Sequence, residues 1–593
     1  MLKHISGAVS DPRSQLWSPA MLMLPLLLVC LLLTPAVAQT RAEPTEASGF
    51  AAKPLITAKE RMIVAANPLA AQAGDRMMAV GGSAADAAIA ALLVLNVVEP
   101  QSSGIGGGGF ALVHSPDGLT TWDARETAPA GATPDMFMEN GEPLPFHVAV
   151  ASGRSIGVPG LVRLMEALHE RHGKLPWADL FQPATRLARD GFAVSPRLAN
   201  MLGRYAARLN GTDVATVFLP GSEPVAAGTI LKQPRLAETF AMIAAHGANA
   251  FYPGPLAERI VAATHRIPRP GTLSLDDLAA YQVIERPPVC HDFRRYRVCG
   301  MGPPSSGATT TGQILMLLDR FKLEELTLDR PRLWHLFASA SRLAYADRAR
   351  YLADSDFVQV PVEGLLDPGY MDTRAELINP FEAANDEAAA GDPPARADGP
   401  HAPDVQEDLP GTTHLSVIDK DGLAISLTAS IETVFGSGRM AGGFLLNNQL
   451  TDFSFRPTDA DGVPIANAPA PGKRPRSSMA PTIVYLNGEP IALTGSPGGG
   501  RIPEYVAQSL VAMLAFEANP ATAAALPHVS QRNRGTVALE PGTPASIVEG
   551  LKALGHQTEE AEMTSGLHII RILPNGTLLG GTDPRREGTA IGH

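Results

Sequence analysis

The chain contains 593 residues, of which 45% are hydrophobic and 18% are charged, and its formal net charge at pH 7 is -12. This length allows roughly two to four domains or one large layered domain, and the composition is that of a globular protein. The acidic balance, and the lack of a basic cluster with interleaved aromatic residues in the sequence, argue against nucleic acid as a partner.

The first forty residues are typical of an export signal. Lys3 and Arg13 precede an apolar run at 21–33, and residues 36–38 (Ala-Val-Ala) supply a small-x-small cleavage pattern. The apolar run is short for a membrane span, which needs about 20 residues, and an uncleaved anchor is the alternative. We predict a signal peptide over 1–38 and a periplasmic or secreted mature protein.

Two helices are predicted at the start of the mature chain. Residues 65–80 and 84–98 have helical apolar spacing, and Ser83 with Asp86 resembles a capping box for the second helix. A glycine-rich stretch follows at 104–109. Because a helix precedes it and a strand follows it, the reverse of a dinucleotide-binding loop, we exclude nucleotide binding and interpret the glycines as points of close backbone packing.

A strand pair then leads to a candidate anion-binding arginine. Residues 110–114 and 119–122 are predicted strands, joined by a Pro-Asp-Gly turn at 116–118, and the second strand ends next to Arg125. The planar fork of an arginine side chain suits a carboxylate. Taken alone, Arg125 fits an ordinary surface ion pair as well.

The predicted export would place the cysteines in an oxidising compartment, and the sequence leaves open whether they form a disulfide. Cys30 lies in the predicted signal, so Cys290 and Cys299 are left, flanking a predicted hairpin within the mainly helical region 155–345. Export would permit a cross-strand disulfide between them, and two buried free thiols are the alternative. Two cysteines without a histidine pair are not a zinc pattern, so we predict no metal site.

The character of the sequence changes abruptly at Thr412. Residues 383–411, rich in Ala, Pro, Asp and Glu, predict a flexible linker, whereas the residues from Thr412 onward predict two strands joined by a turn at 420–422. A cut between Gly411 and Thr412 would leave Thr412 as a new N-terminus, whose freed α-amine could activate its weakly nucleophilic hydroxyl. An ordinary threonine pair opening a strand is the alternative.

Four motifs favour the first interpretation of Thr412. They are Thr-Thr-His-Leu-Ser-Val (412–417), Leu-Leu-Asn-Asn-Gln (445–449), Lys-Arg-Pro-Arg-Ser-Ser-Met (473–479) and Thr-Gly-Ser-Pro-Gly-Gly (494–499). Paired glycines on a tight turn expose backbone N–H groups that suit an oxyanion hole. With these motifs the sequence resembles a γ-glutamyltransferase of the N-terminal nucleophile hydrolase superfamily, from Ser83 to Asp583.

The resemblance implies an α+β fold of four αββα layers, self-cleaved between Gly411 and Thr412 into two interleaved subunits, 39–411 and 412–593. It implies an exported γ-glutamyltransferase and glutathione hydrolase that cleaves γ-glutamyl amide bonds through a γ-glutamyl-Thr412 intermediate. The acyl group would pass to water or to amino-acid or dipeptide acceptors. We expect no cofactor.

The resemblance also implies roles for single residues. Thr412 would be the nucleophile, Gly498 and Gly499 would stabilise the oxyanion, Thr413 is similar to a residue hydrogen-bonded near the nucleophile, and Ser430 keeps a hydroxyl where the family usually has Thr. The residues similar to those that hold the substrate α-carboxylate are Arg125, Ser477 and Ser478. The residues similar to those that hold its α-ammonium are Gln449, Asp452 and, at a position where many relatives have Asn, Glu432.

Two departures from the family pattern have consequences. Glu432 could strengthen ammonium binding, or could crowd Asp452 and raise the pKa of one of the two carboxyl groups. The segment 455–472, which forms a lid over the pocket in well-known relatives, has no aromatic residue after Phe455. A more open site predicts more hydrolysis relative to transfer.

Other functions remain as alternatives. A glutaryl-type cephalosporin acylase or a poly-γ-glutamate hydrolase would use the same Thr412 and glycines, although retention of Asp452 argues for a substrate with an α-amino group. A serine hydrolase of another fold is disfavoured because the sequence has neither a fitting Gly-x-Ser-x-Gly elbow nor a Ser-x-x-Lys motif. A non-enzymatic binding protein on the same scaffold would be indicated by loss of Thr412, which is present.

Overall fold

The computed structural model describes residues 51–394, 399, 401–405 and 411–593. The predicted signal peptide, 1–38, and most of the stretch directly before Gly411 lie outside the described residues. Within the described residues, no helix combines the length and apolar character needed to cross a membrane.

Helices occupy much of the described chain. The α-helices are α1 (Pro68–Ala79), α2 (Ala84–Val98), α3 (Phe146–Val150), α4 (Leu161–His172), α5 (Trp177–Asp190), α6 (Pro196–Leu209), α7 (Ala215–Phe218), α8 (Pro234–His246), α9 (Pro255–Thr264), α10 (Leu275–Ala280), α11 (Gly307–Leu318), α12 (Pro331–Tyr351), α13 (Val362–Leu365), α14 (Pro368–Ala375), α15 (Ile502–Ala515), α16 (Pro520–Ala525) and α17 (Ala545–Ala553).

The strands are short and mostly paired in hairpins. They are β1 (Ile56–Ala58), β2 (Met62–Ala65), β3 (Gly108–Ser115), β4 (Gly118–Ala124), β5 (Met138–Glu139), β6 (Glu142–Pro143), β7 (Phe192–Ala193), β8 (Ile230–Leu231), β9 (Ile284–Arg286), β10 (Val289–Phe293), β11 (Tyr296–Gly300), β12 (Thr412–Ile418), β13 (Ala424–Ser430), β14 (Met440–Ala441), β15 (Phe444–Leu445), β16 (Thr482–Leu486), β17 (Glu489–Thr494), β18 (Val529–Ser530), β19 (Thr536–Leu539), β20 (Gln557–Glu560), β21 (His568–Ile572), β22 (Leu578–Thr582) and β23 (Thr589–Gly592).

Two seven-stranded sheets organise the described chain, one in the order β23-β2-β12-β13-β3-β4-β9 and the other in the order β1-β22-β21-β17-β16-β11-β10. Neighbouring strands in both sheets run antiparallel. Each sheet contains strands from both sides of residue 411 in the chain. The predicted mixture of antiparallel sheet and helices is therefore confirmed.

The inner strand β12 has two different faces because side chains alternate along a strand. Leu415 and Val417 belong to a hydrophobic cluster that includes much of α1, α2 and α4. On the other face, Ser416 Oγ donates a hydrogen bond of 2.9 Å to the carbonyl of His568 in the second sheet. Ser426, on β13, donates in the same way to Thr494 at 3.1 Å. The two sheets thus touch through polar contacts as well as apolar ones.

Local sequence signals correctly placed several elements. Helix α2 has the predicted bounds, and Ser83 and Asp86 form the predicted capping box. Helix α1 begins at Pro68 rather than at residue 65, because residues 62–65 form β2 and Asn67 caps the helix. The β16–β17 hairpin turns at Asn487 and Gly488, both with positive φ, as an Asn-Gly turn requires.

The region 155–345 is mainly helical, as predicted, but it also contains the strands β7 to β11. In the hairpin of β10 and β11, Cys290 lies directly opposite Cys299, and a disulfide joins them. The first part of the predicted linker forms no helix or strand. It is held against the fold by hydrogen bonds, such as that from the Gly391 N–H to Asp347 Oδ1 at 2.8 Å.

Candidate active site

The side chain of Thr412, the first residue of β12, is connected through Ser430 to the peptide bond that precedes it. Thr412 pairs with Ser430, the last residue of β13. Thr412 Oγ1 donates a hydrogen bond to Ser430 Oγ at 3.2 Å, and Ser430 Oγ donates to the carbonyl oxygen of Gly411 at 3.1 Å. One hydroxyl group therefore bridges the Thr412 side chain and the carbonyl of the Gly411–Thr412 bond.

Gly411 fits a space that admits no side chain. A Cβ atom built on Gly411 would lie 1.8 Å from the carbonyl oxygen of Glu432. Glu432 itself has a φ of +75°, a conformation that non-glycine residues rarely adopt. The backbone of residue 411 is therefore pressed against the turn that follows β13, which fixes the bond ahead of Thr412.

A small pocket opens on Thr412. Residues singled out from the sequence make up most of its wall: Arg125, Thr412, Ser430, Glu432, Gln449, Asp452, Ser477, Ser478 and Gly499. Met479 and Ile502 complete it. Arg125 precedes residue 411 and the other lining residues follow it, so both parts of the chain build the pocket.

Two of the residues predicted to act in catalysis or substrate binding, Thr413 and Gly498, do not line the pocket. Thr413 is buried, and its hydroxyl has no hydrogen-bond partner among the residues that the structure describes. Gly498 has a φ of +141°, and a Cβ atom there would lie 2.4 Å from the Tyr505 ring, so the site requires glycine. Gly499 follows it on the pocket wall, at the tight turn that leads into α15.

A buried ion pair forms the charged wall of the pocket. Arg125 Nη2 lies 2.5 Å from Asp452 Oδ2, and both side chains are almost completely buried. The Arg125 guanidinium also donates to the carbonyls of Pro475 and Arg476, at 3.1 and 2.8 Å. Gln449 Nε2 donates to the same Asp452 oxygen at 2.8 Å. A positive and a negative group thus lie side by side, each with fixed orientation.

The segment that carries Arg125 is itself held by buried charges. Asp123 Oδ1 accepts a hydrogen bond from the Arg125 N–H at 2.8 Å, and Asp123 Oδ2 pairs with Arg286 at 2.8 Å. Glu126, the residue after Arg125, is fully buried, and its carboxyl oxygens have no hydrogen-bond partner among the described residues. Burial raises the pKa of Glu126 to about 8, which favours the neutral form of this carboxyl group.

Glu432 is oriented by a residue that the sequence interpretation left without a role. Asn448 Nδ2 donates a hydrogen bond to Glu432 Oε2. Asn448 Oδ1 in turn accepts from the N–H and the hydroxyl of Thr433, at 3.0 and 2.9 Å. Asn448 therefore connects the Leu-Leu-Asn-Asn-Gln motif to the turn beside Gly411.

The glycine-rich stretch 104–109 packs against the site, as its interpretation as close-packing points predicted. A Cβ atom on Gly107 would lie 2.1 Å from the carbonyl oxygen of Ser430, and one on Gly106 would lie 2.0 Å from that of Leu445. Asn447 Nδ2 donates to the carbonyl of Gly106 at 2.8 Å. These contacts bring β13 and the Asn-Asn-Gln loop together.

A buried arginine near the C-terminus also reaches the nucleophile region and was missed from the sequence. Arg586 Nη1 donates to the carbonyl oxygen of Thr412 at 3.1 Å, and Nε donates to that of Ser565 at 3.0 Å. Burial, and secondly the charge of Arg197, lower the pKa of Arg586 to about 9. In the sequence, Arg585-Arg586 is indistinguishable from a surface pair of arginines.

Fold and site together define a class of protein. A threonine opens an inner strand of an antiparallel sheet, and it follows a glycine in tight backbone contact and faces a pocket with a charged wall. This is the arrangement of an N-terminal nucleophile hydrolase, in which one residue can supply both hydroxyl and amine.

Comparison with known proteins gives the family. A family model described as gamma-glutamyltranspeptidase matches residues 70–593. The glutathione hydrolase proenzyme of Bacillus subtilis (strain 168) is 36% identical over 548 residues, which cover 90% of this chain and 92% of the relative. The glutathione hydrolase proenzyme of Escherichia coli (strain K12) is 37% identical over 544 residues, which cover 89% and 91%.

The solved structures agree with this assignment. The crystal structure of cephalosporin acylase from Bacillus halodurans superposes with a TM-score of 0.80 at 29% sequence identity, covering 91% of this chain and 97% of that chain. The chain belongs to the gamma-glutamyltranspeptidase family. The resemblance inferred from the four motifs is confirmed.

Proposed function

We propose that this protein is a self-cleaving enzyme that uses Thr412 to hydrolyse or transfer γ-glutamyl groups, with glutathione as a representative substrate. Membership of the family supports an enzyme of γ-glutamyl hydrolysis or transfer. The observation that carries the assignment of residues is the pocket, in which the Thr412 hydroxyl lies with the buried Arg125–Asp452 pair.

The charged wall suits the amino-acid end of a γ-glutamyl group. That end carries a carboxylate and an ammonium on one carbon atom, so it matches a site whose positive and negative groups lie next to each other. Arg125, Ser477 and Ser478 would bind the carboxylate, because guanidinium and hydroxyl groups can donate to it. The groups that would accept from the ammonium are those of Gln449, Asp452 and Glu432.

Self-cleavage would use the hydroxyl bridge at Ser430. The Thr412 hydroxyl attacks the Gly411 carbonyl carbon and gives its proton to Ser430 Oγ, while Ser430 gives its own proton to the carbonyl oxygen. Collapse of this intermediate breaks the C–N bond, protonates the Thr412 nitrogen and leaves an ester on the Thr412 hydroxyl. Water then hydrolyses the ester, which frees the hydroxyl and the α-amine of Thr412.

Turnover would repeat this chemistry on substrate. Thr412 Oγ1 attacks the γ-carbonyl carbon, the α-amine takes the hydroxyl proton and passes it to the leaving amine, and a γ-glutamyl ester forms on Thr412. The N–H groups of the Gly498–Gly499 turn would stabilise the oxyanion. Water or an amino-acid or dipeptide acceptor then attacks the ester. The charge of Arg586, close to Thr412, would lower the pKa of the α-amine and so favour its unprotonated form, which can accept the hydroxyl proton.

The proposal includes a four-layer arrangement, two interleaved subunits and export of the protein. A four-layer αββα arrangement is supported by the contacts between the two sheets and by the helices that share a hydrophobic cluster with each of them. Because each sheet contains strands from both sides of residue 411, the subunits 39–411 and 412–593 would stay interleaved after cleavage. Export through the signal at 1–38 is supported by the sequence pattern and by the Cys290–Cys299 disulfide.

A covalent intermediate tests the proposed function. Wild-type protein, mixed with a γ-glutamyl anilide and quenched in acid within one turnover, is expected to carry one γ-glutamyl group on the 412–593 chain. Peptide mapping by mass spectrometry should place the group on Thr412. Product formation without any modified small subunit would contradict the proposal.

A second candidate, an acylase for glutaryl groups, is favoured by the similarity to the cephalosporin acylase structure. Such an enzyme would use the same Thr412 but would bind a substrate without an α-ammonium. The buried carboxylate of Asp452, with Gln449 fixed beside it, supports the γ-glutamyl substrate instead.

A further inference from the structure

Arg348, which does not itself line the pocket, donates a hydrogen bond to Ser478, one of the two serines on the pocket wall. Arg348 lies in the last turn of α12 and is almost completely buried. Its Nη2 donates a hydrogen bond to Ser478 Oγ at 2.6 Å, and its Nε donates to Ser306 Oγ at 2.9 Å. One guanidinium group thus connects two hydroxyl groups that lie 172 positions apart in the chain (478 − 306).

The second contact of Arg348 supports the same pocket loop. Ser306 Oγ donates to the carbonyl oxygen of Ser477 at 2.8 Å, and the Ser306 N–H donates to that oxygen at 2.7 Å. The Ser477 N–H donates back to the carbonyl of Pro304 at 2.9 Å. The loop that carries both pocket serines is therefore hydrogen-bonded to residues 304–306. Arg348 connects the same two segments, because it donates to Ser306 and to Ser478.

The direction of these hydrogen bonds determines what the serines can bind. A hydroxyl group has one proton to donate, and its oxygen can accept. Ser477 Oγ accepts from the Met479 N–H at 3.1 Å, and Ser478 Oγ accepts from Arg348. Each oxygen thus accepts from a protein donor to which it cannot give its own proton, so each serine can direct that proton toward a ligand. A carboxylate, which only accepts, is the complementary group.

An arginine enforces this direction, whereas most polar residues would not. A guanidinium has five N–H donors and no acceptor, so the Ser478 hydroxyl cannot donate to Arg348. A glutamine at position 348 could accept the Ser478 proton through its amide oxygen, which would turn the hydroxyl away from a carboxylate. A lysine would keep the donor-only character but could not reach both serines with a rigid fork.

We propose that Arg348 is a positioning residue that makes the pocket specific for a substrate with a free α-carboxylate, by holding Ser478 as a hydrogen-bond donor. This inference deepens the proposed function and rests on it, since it takes Ser477 and Ser478 as carboxylate ligands. It assigns the specificity to α12, a helix that precedes the cleavage site, although the serines follow that site.

The experiment compares two substrates on the mature enzyme: a γ-glutamyl anilide and the same compound with its α-carboxylate converted to a carboxamide. Arg348→Gln is expected to lower kcat/KM for the carboxylate substrate about 10- to 100-fold, mainly through KM, because a hydrogen bond to a charged group is lost in the bound substrate. The carboxamide should change by less than about twofold. Arg348→Lys should keep most of the preference for the carboxylate.

Arg350→Gln, on the same helix two positions further, is the matched control and should leave both rates unchanged. If Arg348→Gln does not yield mature two-chain protein, Ser306→Ala removes the second contact of Arg348 and should give the same selective loss at about threefold.

Equal losses on both substrates, or no loss on either, would overturn the inference, because a merely structural arginine would not distinguish them. If the wild-type enzyme used the two substrates equally, this would instead contradict the proposed binding of the α-carboxylate by Arg125, Ser477 and Ser478. The proposed role of Arg348 would then be contradicted as well.

Discussion

The two ends of the pocket are built in opposite ways. At the nucleophile end, Gly411, Thr412 and Ser430 belong to a single hairpin and its entry, and uncharged groups make the contacts between them. At the other end, Arg125 and Asp452 come from distant parts of the chain and meet as a buried ion pair. Strand register alone sets the first arrangement, whereas the second exists only when the whole fold is assembled.

This difference separates chemistry from recognition. Changes at the nucleophile end should reduce turnover of every acyl substrate alike, because they alter the reacting groups. Changes at the charged end should alter the choice between substrates, because each charged group matches one group on the ligand. Four substitutions or measurements test this separation.

The largest effect is expected for Thr412→Ala. Without the hydroxyl, neither self-cleavage nor acyl transfer can begin, so the variant should remain one uncut chain of full mature mass and show no turnover. Gel electrophoresis and intact mass measure the first property, and an anilide assay measures the second. Thr412→Ser is the control and should still cleave. Two chains from the alanine variant would mean that another protease makes the cut.

Asp452→Asn should have the next largest effect. Removing one partner of a buried, hydrogen-bonded charge pair costs about 2–5 kcal/mol, so kcat/KM for a γ-glutamyl anilide should fall about 100-fold. A glutaryl anilide, which has no ammonium group, should lose far less. Asp421→Asn, at an exposed ion pair with Lys174, is the matched control. Equal losses on both substrates would show that Asp452 only supports the fold.

Ser430→Ala should slow self-cleavage by about tenfold, since the hydroxyl that relays the Thr412 proton to the Gly411 carbonyl is lost. A time course of the purified precursor measures this rate, and Ser430→Thr should restore it. Ser426→Ala removes a buried hydroxyl from the same strand without touching Thr412 and should cleave at the wild-type rate. Slow cleavage in both alanine variants would point to loss of sheet packing.

The smallest effect concerns water access. No residue of 455–472 is among those that line the pocket, and Phe455 packs away on Phe137 with 4.6 Å between ring centroids. We therefore expect hydrolysis to exceed transfer severalfold at modest concentrations of a dipeptide acceptor. Product analysis gives the ratio. Transfer far above hydrolysis under these conditions would show that the open segment does not decide the partition.

The same contrast explains how much could be predicted from the sequence. The β12–β13 hairpin and helix α2 with its cap follow from short-range signals: α2 has the predicted bounds, and the predicted turn at 420–422 joins the two strands. Short strands such as β2 and β23 carry too few residues for a pattern, and only their pairing with each other and with β12 defines them.

The site shows the same limit. Nine singled-out residues meet in one pocket, and five of them lie in the four motifs: Thr412, Gln449, Ser477, Ser478 and Gly499. Arg348, Asn448 and Arg586 were missed, because each acts through tertiary contacts, among them those to Ser478, Glu432 and Thr412 respectively. Asn448 lies in one of the four motifs, but nothing in the sequence indicates that its side chain orients Glu432.

The most direct measurement compares initial rates of the wild-type enzyme on a γ-glutamyl and a glutaryl anilide, which differ only in the α-amino group. The ratio therefore reports on the ammonium contacts, Gln449, Asp452 and Glu432. We predict a strong preference for the γ-glutamyl compound. Equal rates, or a preference for the glutaryl compound, would contradict the account and identify the protein as an acylase of the same family.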